Sequence, residues 1–209
     1  EQYVLPLSHS FLSEQQPTLL GRVGYLPFEE RIALIRAFFG FVIAHPGKKL
    51  LFAGQEFGML EPLQADGVLN FPLLDYPSHR NIKACAAALN AFYLAHPALY
   101  EGDSDTEGFT FLNCHSYQEN VVIFLRRAAG EDLLIAVNFS GTSYPRFNLG
   151  VPYAGSYKEI FSTDEERFGG SGTLNPRALP ARAMEVDDRD IGISIRLPAY
   201  SALFFACKK

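Results

Sequence analysis

His45-Pro46-Gly47-Lys48-Lys49-Leu50-Leu51-Phe52-Ala53-Gly54-Gln55-Glu56-Phe57-Gly58 is the stretch that decides the fold. His45-Pro46-Gly47 stops whatever helix precedes it, because proline cannot continue one. Lys48 to Ala53 then reads as a strand, and Gly54 and Gly58 bracket the polar turn that ends it. A strand that directly follows a helix implies alternation of the two, the pattern of a parallel sheet or barrel.

The residues on either side keep that pattern. Upstream, a helix is predicted from Pro27 to Ala44, with Glu29 and Glu30 at its positive end. Ile32, Ile35, Phe39, Val42 and Ile43 hold helical spacing, and Phe38 and Phe41 make the helix apolar nearly all round, so deep packing is expected. Further back, Tyr3-Val4-Leu5-Pro6-Leu7 is a continuous apolar run of strand length, suited to burial on both faces. Ser8-His9-Ser10 follows it. Downstream, a second helix is expected from a cap at Ser78 to His96-Pro97, with Ile82, Cys85, Ala86, Leu89 and Tyr93 as its buried stripe.

After residue 100 the period changes. Phe109–Cys114, Val121–Arg127, Leu133–Phe139, Tyr157–Phe161, Ala183–Val186, Ile191–Leu197 and Ser201–Cys207 read as strands. Ile191, Ile193, Ile195 and Leu197 alternate with Gly192, Ser194 and Arg196, the mark of one buried face. About seven short strands with turns between them point to an antiparallel β-sandwich. Asp164 to Pro180, rich in Gly, Ser, Asn and Pro, is expected to be a long surface loop. The chain is thus multi-domain, α/β followed by all-β: two βα units over 1–100 and a β-sandwich over 101–209. A closed (β/α)8 barrel needs eight units and about 250 residues, so the first part reads as a piece of something larger.

Composition narrows the function. Of 209 residues, 48% are hydrophobic and 20% charged, which excludes wholesale disorder. The formal charge of −5 argues against nucleic acid or an anionic membrane as partner. No apolar run reaches the roughly 20 residues of a membrane span, since Arg36 interrupts Ile32–Ala44. Glu1-Gln2-Tyr3 carries neither an initiator Met nor signal-peptide features, which suggests an internal cut. Cys85, Cys114 and Cys207 are three and far apart, which fits a reducing, cytoplasmic setting better than a disulfide scaffold. With 18 Phe, 10 Tyr and no Trp, any sugar-stacking platform must use Phe or Tyr.

No phosphate-binding glycine loop, zinc signature or nucleophile elbow is present, the histidines lack metal-ligand spacing, and no cofactor is implied. Glu165-Glu166 and Asp187-Asp188 read as solvated charges. Position says more. Parallel strands place active sites at their carboxyl ends, and here those ends carry Ser8-His9-Ser10 and Gly54-Gln55-Glu56. His9 and Glu56 are therefore candidates for contacting sugar hydroxyls or polarising a reacting group. The plainer alternative is that His9 caps a turn and Glu56 ties its loop through backbone donors.

Several segments resemble the 1,4-α-glucan (glycogen or starch) branching enzymes of the α-amylase superfamily. Tyr3 to His9 resembles their Val-Leu-Pro-Leu-Ser-His-Asp segment. His45 to Phe57 resembles Ala-His-Pro-Gly-Lys-Lys-Leu-Leu-Phe-Met-Gly-Asn-Glu-Phe. Leu69-Asn70-Phe71, Leu73 to Pro77 and His79-Arg80 resemble a Leu-Asp-Trp … Tyr-Pro … His-Arg stretch. Val121–Arg127, Val137-Asn138-Phe139, Tyr157 to Ile160 and Leu197-Pro198-Ala199 follow in the order of that family's C-terminal β-domain.

The resemblance implies that Tyr3–Leu7 and Leu50–Ala53 are the seventh and eighth barrel strands, with six upstream units outside this chain. It implies an α-1,4-glucan substrate, cut and transferred to a 6-hydroxyl. Retaining chemistry of this kind needs a nucleophile and an acid/base about 5 Å apart. The family carries both on earlier strands, so neither has a counterpart here. Ser10 stands where the family has a third carboxylate, and an alternative alignment gives that role to Glu14. Asn70 replaces Asp, Phe71 replaces Trp and Gln55 replaces Asn, while His9 and Glu56 are retained. The implied glucan contacts are His9, Ser10, Glu56 and Asn70. These departures keep open a second reading, a catalytically degenerate glucan-binding or structural module, for which Tyr117, Tyr153 and Tyr157 are candidate contacts or else core packing.

Overall fold

A computed structural model describes residues 4–7 (backbone only), 18–61, 67–113, 118–128 and 130–209. His9, Ser10, Glu14, Cys114 and Tyr117 lie outside the described residues. Strand β1 (Val4–Leu7) pairs in parallel with β2 (Lys48–Leu51), in the register Val4↔Lys48 to Leu7↔Leu51. Helices α1 (Leu19–Arg22) and α2 (Phe28–Ala44) run between them, and α3 (Pro77–Ala95) follows β2. The predicted order of strand, helix, strand and helix is observed. Strand β2 ends two residues short of the reading to Ala53, because Gly54 opens the turn early.

The caps differ from expectation. Pro27 occupies the N-cap position of α2, and Tyr76 rather than Ser78 that of α3, with Pro77 beginning the helix. Proline is suited there, since its N–H would be unpaired in any case. The buried stripe of α3 includes Phe92 instead of Tyr93.

Beyond α3 the described residues form nine strands: β3 (Phe109–Asn113), β4 (Val121–Ala128), β5 (Glu131–Asn138), β6 (Tyr144–Gly150), β7 (Ser156–Ser162), β8 (Leu179–Pro180), β9 (Arg182–Val186), β10 (Arg189–Leu197) and β11 (Ser201–Lys208). They form a six-stranded sheet, β3-β4-β5-β11-β7-β8, and a three-stranded sheet, β6-β10-β9. All their pairings are antiparallel. Strand β6 was not predicted. Pro145, Arg146 and Asn148 obscure its apolar pattern, and it is an edge strand, where proline removes no ladder bond.

Two cores flank the large sheet. Between the sheets, Ile123, Leu125, Leu134, Leu203 and Phe205 meet Leu149, Ile193, Ile195 and Leu197. On the other face, Phe124, Ile135, Val137, Phe161 and Phe204 pack with Ile35, Phe39, Val42, Ile82 and Leu89 of α2 and α3. Successive strand residues point to opposite faces, so β5 feeds one core with Leu134 and the other with Leu133 and Ile135.

Helix α2 is fastened to the β-sheets along its whole length. Tyr200 donates to Glu30 at 3.0 Å near its start. Arg36, buried mid-helix, donates to the carbonyls of Thr163 at 3.3 Å and Gly169 at 3.4 Å. Gly40 permits close approach to β11: a Cβ there would lie 2.4 Å from that of Ala202. Arg126, 0% exposed, closes the far end. It donates to the Ala44 carbonyl at 2.7 Å, to the Gly108 carbonyl at 3.2 Å and to Asp103 at 2.5 Å. Lys49 donates to the carbonyls of His45 and Gly47, satisfying further acceptors past the helix end.

Two sequence expectations are corrected. The expected 164–180 loop gives up its last two residues to β8, which pairs with β7, and the rest is tied down: the Asp164 carboxylate accepts from Ser171 N at 2.9 Å, Ser171 Oγ at 2.6 Å and Thr173 N at 3.1 Å. Asn175, also buried, bonds Glu159 and the backbone of Arg196. Asp187 is not a free solvated charge. Its carboxylate accepts from Asn113 at 2.6 Å and from Gly150 N at 2.8 Å, linking the two sheets. Glu165 pairs with Arg167 at 2.7 Å.

Replacing Arg126 by Met should cost about 3–5 kcal/mol, since Asp103 is left buried without its partner. Urea midpoints would measure this, and adding Asp103→Leu should recover part of the loss. A second expectation concerns pH. Burial brings the Lys49 ammonium down to about 8 from an ordinary 10.5. Between those values the unfolded chain holds the proton and the folded chain does not, so this group adds stability as pH rises. Burial raises the Tyr157 hydroxyl and Cys207 thiol, which oppose it at high pH. The difference between wild type and Lys49→Met, followed by urea unfolding across pH 8 to 10.5, isolates the lysine: the gain should be absent from the variant.

Candidate functional site

The carboxyl end of β2 runs into a single 3-10 turn, Gln55–Phe57, held between Gly54 at φ 90° and Gly58 at φ 68°. Left-handed backbone of this kind favours glycine. At Gly58 a side chain would also strike Ile82 at 2.8 Å. Three bonds close the turn: Phe57 N and Met59 N donate to the Gly54 carbonyl at 3.4 and 2.9 Å, and Gly58 N donates to that of Gln55 at 3.0 Å.

Glu56 turns one carboxylate oxygen back onto Gly54 N at 2.9 Å. Its other oxygen makes no hydrogen bond among the described residues, and the side chain is half-buried. The residue therefore does what the plainer alternative proposed, tying its own loop through a backbone donor. Gln55 is 6% exposed. Its oxygen accepts from Phe52 N at 3.2 Å, and its Nε2 is buried without a partner among the described residues.

Among the described residues no hydrogen bond joins Asn70 to Glu56. Asn70 donates to Glu61 at 3.3 Å and precedes the 3-10 turn Phe71–Asp75. The two turns adjoin through aromatic rings, with Phe57 and Phe71 centroids 5.8 Å apart. The surface here is apolar and open: Phe71 is 55% exposed, Val68 83% and Leu60 46%.

The residues that position this site are His79 and Arg80, at the start of α3. His79 is 3% exposed and its Nδ1 lies 2.9 Å from the Phe57 carbonyl, so that nitrogen carries the proton and donates. Its ring also meets Phe28 and Tyr76. Arg80 donates to the carbonyls of Leu74 at 3.0 Å and Asp75 at 2.6 Å. One helical turn thus anchors both loops. The sequence signal was the His-Arg pair in the resembling segment, which named no role for it.

The tyrosine candidates separate. Tyr157 is fully buried between the sheets, its hydroxyl bonded to the backbone of Tyr153, which makes it core and removes it as a ligand contact. Tyr153 is half-buried against the edge of the same core, with Lys209 Nζ 4.3 Å from its ring centroid. Among the described residues, no group of three His, Cys, Asp or Glu gathers to hold a metal, and no helix is long and apolar enough to cross a membrane.

Comparison with known proteins places this geometry. Residues 111–208 match the family model of the alpha amylase C-terminal all-beta domain. Over 98% of its length the chain is 37% identical to the 1,4-alpha-glucan branching enzyme GlgB of Cereibacter sphaeroides, covering 28% of that protein. It is 35% identical to the enzyme of the same name from Aquifex aeolicus, covering 32%. Among solved structures, a debranching enzyme from Nostoc punctiforme superposes over 97% of this chain and 35% of its own, with a TM-score of 0.64 and 20% identity. AmyP in complex with maltose superposes over 97% of this chain and 40% of its own, with a TM-score of 0.65 and 16% identity. The chain spans about three-tenths of the length of the curated relatives it matches. The chain is similar to the C-terminal part of the 1,4-alpha-glucan branching enzymes, and its residues 111–208 match the alpha amylase C-terminal all-beta domain.

Proposed function

We propose that this chain is the C-terminal part of a glucan branching enzyme, acting within a longer protein that transfers α-1,4-glucan segments to 6-hydroxyls. The observation that carries the reading is the match of 98% of the chain, at 37% identity, to proteins bearing that name. In this reading residues 1–100 are the last two βα units of a (β/α)8 barrel and residues 101–209 the β-sandwich behind it. The parallel pairing of β1 and β2 supports it, as does the half-open Leu50 on β2. So does the apolar surface at Leu60, Val68 and Phe71, which suits cover by further barrel elements.

The role assigned to this chain is positioning and binding. Glu56, on a loop held by His79, and Asn70, beside Phe71, face the glucan together with His9 and Ser10. The nucleophile and acid/base come from the earlier strands. The sequence departures at Ser10, Asn70 and Phe71 favour one competing reading, a degenerate glucan-binding module.

An assay of the longer protein for new α-1,6 branches on amylose decides between them. Branch formation is the expected result, and its absence at every enzyme concentration would leave only the module. In the active protein, Glu56→Gln or His79→Ala should lower the rate up to about 100-fold by misplacing the loop, with the β-domain still folded by circular dichroism. The domain boundary has its own test. Residues 101–209 alone should bind a hydrophobic dye or self-associate, because Phe124, Ile135, Val137 and Phe204 lose the cover of α2 and α3. A monomeric, dye-silent fragment would show that this face needs no helices.

A further inference from the structure

The outward face of the three-stranded sheet carries an open groove of about 430 Å³, remote in sequence from the β2 loop. Arg146 and Asn148 on β6, Ser194 and Gly192 on β10, and Arg182 and Met184 on β9 line it, with apolar Leu179, Pro180 and Ile193 completing the wall. Register explains why they meet. Ser194 stands opposite Asn148, and Gly192 stands opposite Arg182. Residues two apart along a strand share a face, so Arg146 joins Asn148, and Met184 joins Arg182. Asn148 and Ser194 thus lie in the row between Arg146 and Arg182, and Met184 and Val186 cover Gly192, where a Cβ would lie 3.1 Å from Met184 Sδ and 3.0 Å from Val186 Cγ1.

Two features of the groove point to its ligand. Neither Arg146 nor Arg182 has a hydrogen bond or ion pair among the described residues, whereas Arg36, Arg80, Arg126 and Arg167 are all engaged. No carboxylate lines the groove, although the chain as a whole is acidic, at −5. No aromatic side chain lines it either, in a chain with 18 Phe and 10 Tyr. A neutral sugar ring would find no stacking platform there. An anion would find two guanidinium forks, with an amide and a hydroxyl between them.

We propose that this groove binds a phosphate group, free or carried on a sugar. Guanidinium donors match phosphate oxygens in pairs. Two forks reaching from opposite edge strands suit a tetrahedral, doubly charged anion better than a flat carboxylate. Asn148 and Ser194 stand where the hydroxyls of an attached sugar would fall. Because the groove is open, the binding is weak and sensitive to salt.

The test titrates the full chain with inorganic phosphate at constant ionic strength and follows backbone amide shifts. Saturable shifts on β6, β9 and β10 are expected at millimolar phosphate. They should be lost in the Arg146→Gln, Arg182→Gln double variant, whose thermal midpoint should match wild type because neither side chain makes a hydrogen bond or ion pair among the described residues. A parallel titration with glucose 1-phosphate identifies the source: at least several-fold tighter binding than phosphate, weakened by Asn148→Ala, means a phosphorylated sugar. Equal affinity means the free anion. Absence of saturation, shifts that persist in the double variant, or saturation by maltose with no response to phosphate would each overturn the proposal.

Discussion

Arg126 holds the two parts of this molecule in one frame. A guanidinium with no exposure is costly unless its charge is paired and its nitrogens meet acceptors, and here each of the three nitrogens is answered. The answers come from three places: the last carbonyl of α2, the Gly108 carbonyl beside β3, and Asp103 in the connection between helices and sheets. The charge therefore accepts only one placement of the helix end over the large sheet. Burial lowers its pKa and Asp103 opposes that shift, so the ion pair is retained inside the protein. Lys49 adds its ammonium to the carbonyls just beyond, and the chain leaves the helix already aimed into β2.

From that fixed point the rest of the geometry follows. The outer face of the large sheet is covered by α2 and α3, so the β-sandwich has three layers where its own sequence would supply two. Because α2 cannot slide, β2 delivers the Gln55–Phe57 turn to a set place. Helix α3 then returns under it and fastens the turn through His79. The stability of the sandwich and the position of the candidate glucan loop are thus one mechanical problem. A change deep in β4 should be felt at Glu56 without touching it.

Much of the fold was legible in the sequence because it rests on periodicity. The stripe Ile32, Ile35, Phe39, Val42 and Ile43 is buried as spaced, and Ile193, Ile195 and Leu197 face the inner core as alternation requires. Gly54 and Gly58 do bracket the turn, both with left-handed backbone. Legibility failed where polar atoms serve structure. Asp164, Asn175 and Asp187 read as loop or solvent residues, yet each organises backbone donors. Nothing in local composition separates a carboxylate that will meet two amides from one that will meet water. Of the candidate site, Glu56 and Asn70 sit on or beside turns that adjoin through Phe57 and Phe71, each bonded within its own segment. The anchoring His79 was visible only as part of a familiar segment.

The sequence alone determined the order of elements and their buried faces, since these depend on neighbours three, four or two residues away. It carried as well, in the runs at 3–9 and 45–57, the resemblance to the branching enzymes with which the chain shares 35–37% identity. Only the tertiary structure decided that Tyr157 is core, that Arg126 is an internal clamp and that Arg146 and Arg182 share an uncompensated groove. Those outcomes depend on which distant strand lies opposite, and pairing across the sheet is set by the total burial of two cores rather than by any local pattern.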